Sequence, residues 1–224
     1  MGLDFGHVAG GAETNSEFVS QNGDKPTGKR AGWKLLGSQT RFENDIFRLR
    51  EDEVELEGGK RMQYAYLERG EAVVIVPITR DGRMVMLKQY RYAVDEWCLE
   101  VPAGGMHDTG EKSPEEVARD ELREEIGATA ETLTYVDFFF SANATTDEKC
   151  HVFLAEGVEL SKKPEQEPSE TIEMQLVPVA EALEMARSGK MKTGPCALAV
   201  LLCEPLLAKH LRGRERTPNE WLET

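Results

Sequence analysis

"GGMHDTGEKSPEEVARDELREEIGA", Gly104 to Ala128, decides how the rest of the chain is read. Ser113 suits a helix N-cap, Pro114 the first helical position, and Glu116 completes a capping box. Gly127 suits the left-handed residue just past a helix end. The spacing therefore predicts a helix over about Pro114 to Ile126. Val117, Ala118, Leu122 and Ile126 make its apolar stripe. Eight acidic residues lie between Asp108 and Glu125, and they form two groups. Glu115 and Glu116 favour the positive start of the helix. Glu121, Glu124 and Glu125 stand towards its negative end, where an anion at Glu124 or Glu125 costs about 0.3–1 kcal/mol. Like charges three and four residues apart add a smaller repulsion. A cation among them reverses both terms. Mg2+ (or Mn2+) is the natural candidate: it is hard, takes oxygen ligands, and binds one or two carboxylates together with substrate phosphates. The plainer alternative is a solvated face balanced by Arg119 and Arg123.

On the N-terminal side, "EVPAGGMHDTGE" reads as a strand end followed by a Gly-rich loop. Such a loop lets backbone carbonyls and a ligand approach closely. Strand patterns dominate the sequence before and after the helix. "DIFRLREDEVELEGGKRMQYAYLER" alternates, with Gly58-Gly59 as a hairpin signal between two runs. "AVVIVPIT", Ala72 to Thr79, suits a central strand, and "MVMLKQYRY" follows after the turn at Asp81-Gly82-Arg83. "WCLEVPAGG" reads as one short strand ending at Pro102. "ETLTYVDFFFS", "EKCHVFLAEGVEL" and "IEMQLVPV" are three further strands. "VAEALEMARSGKM" and "GPCALAVLLCEPLLAKHL" have helical spacing, and the second is apolar enough to be buried. The fold class is α+β, an α/β/α sandwich around a mixed sheet. Residues 1–31 read as a flexible tail, 32–70 as a small N-terminal antiparallel β subdomain, 71–211 as the main domain, and 212–224 as a C-terminal tail.

The composition limits the partners. The chain has 224 residues and a formal net charge of −14. Such a chain repels nucleic acid and anionic membranes, and an anionic substrate needs bridging cations. The four cysteines, Cys98, Cys150, Cys196 and Cys203, form no Cys-x-x-Cys pair and read as reduced thiols of a cytoplasmic protein. No signal peptide is seen, and no apolar stretch reaches the roughly 20 residues that span a bilayer.

The stretch Gly105 to Ala128 resembles the signature of the Nudix hydrolases, G-x5-E-x7-R-E-U-x-E-E-x-G-U, with U a bulky aliphatic residue. Gly105 and Glu111 match its first half, and "ELREEIGA" its second. One extra residue lies between Glu111 and Glu121, placed at Lys112-Ser113 because the helix register is intact. Asp120 stands where the family has an arginine that helps anchor its glutamates. "LKQYRYAVDEWCLEVPAGG" and the N-terminal strand pair are similar to the ADP-ribose pyrophosphatase branch, which also handles other nucleoside diphosphate sugars. The resemblance covers most of Gly32 to about His210. It implies a homodimer through the N-terminal strands. It also implies metal ligation by Glu121, Glu124, Glu125 and the Ala103 carbonyl, with Arg91, Glu100, Gly104 and Gly105 at the substrate. Glu125, or a glutamate of the later loop, Glu167 or Glu170, would orient or deprotonate the attacking water. "FFFSANATTDEK" lacks the proline usual after the motif in that branch.

The function this implies is Mg2+-dependent cleavage of the pyrophosphate of a nucleoside diphosphate sugar. ADP-ribose is the first candidate, giving AMP and ribose 5-phosphate. The alternatives are hydrolysis of GDP-mannose, UDP-glucose or another nucleoside diphosphate derivative, or a Nudix-fold nucleotide-binding protein with little turnover. Trp33 and Trp97 read as packing residues, with base stacking as the alternative. His151 reads as structural, and His107 has no placed partner. The histidines and cysteines show no zinc-ligand spacing.

Overall fold

A computed structural model describes residues 28–107, 109–161, 163–164 and 171–211. The first unit is a three-stranded antiparallel sheet of β1 (Lys34–Glu43), β2 (Phe47–Glu55) and β3 (Arg61–Arg69), in that order. Three strands stand where the resemblance implies a pair. The β2–β3 turn is at Gly58-Gly59, both with positive φ, 95° and 85°, a backbone that side chains with a Cβ resist. β3 is tied to the rest of the chain by Leu67 N–H to the Thr145 carbonyl (2.8 Å) and Arg69 N–H to Asp147 Oδ1 (2.8 Å).

The second unit is a mixed sheet. Its main path is β11 (Ile172–Pro178), β5 (Arg83–Arg91), β4 (Ala72–Thr79), β10 (Lys149–Leu160) and β8 (Ala128–Thr129). β6 (Glu96–Glu100) pairs with β5, β7 (Ala103–Gly105) with β4, and β9 (Thr132–Phe140) with β10. β4 and β10 are parallel and every other pair is antiparallel. Continuous apolarity in β4 follows from its burial on both faces. Val74, Val76 and Ile78 face one core, shared with α2 (Val179–Arg187) and α3 (Gly194–Cys203). Val73 and Ile75 face another, shared with α1 (Pro114–Ile126). Helices on both faces of a mixed sheet make the expected sandwich.

α1 has the predicted limits. Ser113 accepts from the Glu116 N–H while Glu116 accepts from the Ser113 N–H, and Gly127 closes the helix at φ 62°. Val117, Ala118, Leu122 and Ile126 are at most 1% exposed, each large side chain contributing about 1.5–3 kcal/mol through burial. Two sequence readings change. "WCLEVPAGG" is two strands, interrupted at Val101-Pro102, and the glycine pair read as loop is part of β7. Register fixes it there: Ala72 opposes Gly105, Val73 opposes Gly104 and Val74 opposes Ala103. Glycine has little strand propensity of its own, so this pairing is imposed by β4.

Among the described residues, one helical run, Gly194–Leu211, has the length and apolarity to cross a bilayer. Here one face of it packs on the core. Cys196, Ala199, Val200, Cys203 and Leu207 are buried against the sheet, and a 3-10 turn at Glu204–Leu207 interrupts it.

The start of the β4–β10 pair carries a partly buried polar contact. His151 Nε2 lies 2.9 Å from Glu71 Oε2, with Lys149 Nζ 3.5 Å from Glu71 Oε1. Burial opposes the Glu71 carboxylate, but the hydrogen bond to His151 and the nearby charges of His151 and Lys149 outweigh it and hold its pKa below the ordinary value. A carboxyl depressed in the folded state stabilises the fold above its unfolded pKa. That contribution disappears as pH falls through the lower folded value. Glu71→Gln should therefore remove part of the stability lost as pH falls from the ordinary glutamate range through that lower folded value. Urea unfolding of both proteins across that range measures it, and parallel acid profiles would contradict the assignment.

Candidate active site

The C-terminal turn of α1 crosses β7, and its carboxylates meet the strand there. A Cβ built on Gly104 would collide with the Glu121 carboxylate. The glycine therefore makes room for an acid. Glu125, 5% exposed, accepts a hydrogen bond from the Ala103 N–H at 3.2 Å. Gly105 leaves room in the same way for the His107 ring. These contacts place Ala103, Gly104, Gly105, Glu121 and Glu125 around one point of the fold.

Glu124 takes another direction. It pairs with Arg123 at 2.7 Å, and both side chains are more than two-fifths exposed. Arg123 also binds Asp120 at 2.7 Å, and Lys112 binds the other oxygen of Asp120 at 2.8 Å. The Lys112 hydrogen bond is the main cause that lowers the Asp120 pKa, with Arg123 adding to it against desolvation. The carboxylate in the family's arginine position thus lies between two cations. One of them, Lys112, comes from the segment that holds the extra residue. Exposed pairs of this kind are worth about 0–1 kcal/mol, so Glu124 is held only weakly on Arg123.

A second cluster stands beside the first. Glu100, 3% exposed, accepts from Arg91 Nε at 3.0 Å and from Arg91 Nη2 at 2.5 Å. The Thr193 hydroxyl donates to Glu100 Oε1 at 3.1 Å. This fork fixes the guanidinium plane, which a lysine would not do. The Glu100 hydrogen bond is the leading cause that raises the Arg91 pKa; desolvation opposes it, and the charges of Glu100 and Glu125 add to it. Arg91 thus lies in the field of the Glu125 carboxylate while its side chain stays 45% exposed. Thr193, just before α3, has no sequence signal of its own. It reaches the site only because the α2–α3 turn folds back on β6.

The oxygen chemistry of Glu121 and Glu125 fits a hard divalent cation, and the space kept at Gly104 holds Glu121 against β7. Among the described residues, no three His, Cys, Asp or Glu side chains stand together as a ready-made metal group. Glu124 completes a set with Glu121 and Glu125 only by leaving Arg123. Glu167 and Glu170 lie outside the described residues. His107 lies against Gly70 and Gly105, and His151 is engaged with Glu71. Trp33 is half-buried next to Gly28, whereas Trp97 is 43% exposed. The colliding atoms of Glu121 are the end of a flexible side chain, so Gly104→Ala should leave the fold intact and move that carboxylate. The urea unfolding free energy should change by less than about 1 kcal/mol. A crystal structure of the variant should show Glu121 displaced from β7, and an unmoved Glu121 would contradict this account of the glycine.

Comparison with known proteins bears on the family and the fold. Residues 68–194 match the NUDIX domain, and residues 33–67 match the nucleoside diphosphate sugar hydrolase N-terminal domain. An ADP-ribose pyrophosphatase of Bacillus subtilis (strain 168) is 32% identical over 75% of this chain and 90% of its own length. An ADP-ribose pyrophosphatase of Mycobacterium tuberculosis is 30% identical over 85% of this chain and 92% of its own. A crystal structure of an ADP compounds hydrolase superposes with a TM-score of 0.69 at 24% identity, covering 81% of this chain and 96% of the other. That likeness bears on the fold. With the NUDIX match running through β4, β7 and α1, the chain belongs to the Nudix hydrolases and is an enzyme of that family.

Proposed function

We propose that this protein hydrolyses the pyrophosphate of a nucleoside diphosphate sugar with the help of Mg2+ or Mn2+, ADP-ribose being the first candidate. The observation that carries this reading is the meeting of two carboxylates, Glu121 and Glu125, with β7 beside the Arg91–Glu100 fork. Anionic and cationic groups then stand side by side, as a diphosphate neutralised in part by a metal requires. Glu121, Glu125 and a reoriented Glu124 would hold the cation, with the Ala103 carbonyl as a further oxygen donor. A divalent ion supplies charge neutralisation on the diphosphate and a lowered pKa for water. Arg91 binds a phosphate oxygen, and Glu100 and Thr193 keep its guanidinium in plane. Gly104 and Gly105 let the substrate lie against the backbone. A carboxylate, Glu125 or the loop residues Glu167 or Glu170, takes the proton from the attacking water. With ADP-ribose the products are AMP and ribose 5-phosphate.

The same reading places the boundaries at 32–70 for an N-terminal subdomain and 71–211 for the Nudix domain. It makes the protein a homodimer through the N-terminal sheet. Every residue of β1 is exposed, and Leu35, Leu36, Phe42, Ile46 and Met62 give that sheet an apolar surface. A second copy would cover it, as apolar patches of this kind are covered at interfaces. Four unpaired cysteines support action in a reducing compartment, the cytoplasm.

A panel of ADP-ribose, GDP-mannose and UDP-glucose with Mg2+, read as released phosphomonoester, tests the reaction. ADP-ribose should be cleaved, and Glu125→Gln should lower kcat by about 100-fold or more. Preference for another member moves the substrate within the same reaction. Tight binding without turnover would make the protein a nucleotide binder instead. The same preparation should sediment as a dimer, and a monomer mass would remove the interface from the account.

A further inference from the structure

A cavity of about 760 Å3 opens where the β5–β6 hairpin meets the α2–α3 turn. That is the size of a small-molecule site. The Arg91–Glu100 fork forms one of its walls, and Trp97, Lys190 and Lys192 line it further out. In a chain of net charge −14, three cationic side chains line this cavity against two carboxylates, Glu96 and Glu100. Of those, Glu100 is already engaged by Arg91 and Thr193. Lys34, Lys88, Lys112, Lys149 and Lys209 each form an ion pair, and among the described residues neither of the two lysines at the cavity does. Trp97 is held edge-on by Tyr90 (ring centroids 6.0 Å apart), and one face of its ring lies under Lys88 Nζ, 4.9 Å from the centroid. The indole is thereby fixed in place and still 43% exposed.

We infer that this cavity is the subsite for the half of the substrate beyond the diphosphate, and that it selects a sugar bearing an additional negative charge. The inference rests on the pyrophosphohydrolase reading, because Arg91 is the residue that joins the cavity to the diphosphate position. The Trp97 face packs on the sugar ring. Glu96 accepts hydrogen bonds from sugar hydroxyls. Lys190 and Lys192, on either side of Met191 in the α2–α3 turn, bind the extra anion, a phosphate or a carboxylate, through charge-assisted hydrogen bonds. Neutral sugars fill the same space and leave the two ammonium groups without a partner, so selectivity follows from the charge and not from the volume.

Two matched substrate pairs test this and separate the two anions. UDP-glucuronate against UDP-glucose differs by one carboxylate. ADP-ribose phosphorylated on its terminal ribose, against ADP-ribose, differs by one phosphate. In at least one pair the wild-type protein should favour the charged member by about tenfold or more in kcat/KM. Lys190→Gln/Lys192→Gln should bring that ratio to within about twofold, and both side chains are exposed enough for the fold to tolerate the change. A ratio near one in wild type for both pairs, or a ratio that survives the double substitution, overturns the subsite. Calorimetric binding of the same pairs reads the subsite without turnover. Discrimination in binding that the double variant loses supports the subsite even where hydrolysis is absent, and equal affinities overturn it. Absence of hydrolysis in every pair counts against the pyrophosphohydrolase reading alone.

Discussion

A carboxylate occupies the space that a methyl group at position 104 would fill. That exclusion sets the geometry on which the rest of the site depends. β7 is held on β4 by backbone register, and α1 is held on the same sheet by its apolar stripe. With both fixed, the Glu121 carboxylate can lie against the strand only if the strand has no side chain at the crossing. Glycine meets that condition, and Glu121 and Glu125 then share β7 as a common wall. The helix caps, the stripe and the glycine are three separate sequence features that converge on one arrangement.

The electrostatics follow from how each acid is answered. Burying a carboxylate is costly unless it is paired and hydrogen-bonded. Glu100 has a two-pronged arginine and a threonine hydroxyl, and Glu125 has a backbone N–H from β7. Removing Arg91 would leave Glu100 with a single neutral donor among these contacts, so Arg91 bears on folding as well as on the phosphate contact proposed for it. On the exposed side of α1, a chain of contacts runs from Lys112 through Asp120 and Arg123 to Glu124. It accounts for the departure from the family pattern. An acid at position 120 is tolerated because a lysine and an arginine flank it, and both are exposed enough to yield to a more concentrated charge.

Much of this was legible in the sequence because it is local. The limits of α1 are written in Ser113, Pro114, Glu116 and Gly127. The central strand is written in an unbroken apolar run, and the hairpin in Gly58-Gly59. What was not legible depends on contacts distant along the chain. The strand at Ala103–Gly105 exists because β4 pairs with it, and its glycines alone suggest a loop. Thr193 joins Glu100 across 93 positions, and nothing in "MKTGPC" announces that contact. A helical projection places Glu121, Glu124 and Glu125 on neighbouring sides of α1, yet it cannot show that Arg123 draws Glu124 aside. Trp97 read as a packing residue because exposure is a property of the hairpin's position, not of its composition.

The central claim is that the acidic end of α1 is a cation site built against β7. Mn2+ binding followed by electron paramagnetic resonance tests it without any assumption about the substrate. Glu121→Gln and Glu125→Gln should each weaken Mn2+ binding by about tenfold or more. Glu115→Gln, at the other end of the same helix, should leave it near the wild-type value. Equal Mn2+ affinity in all three variants would contradict the claim and return the acidic excess to an ordinary solvated face.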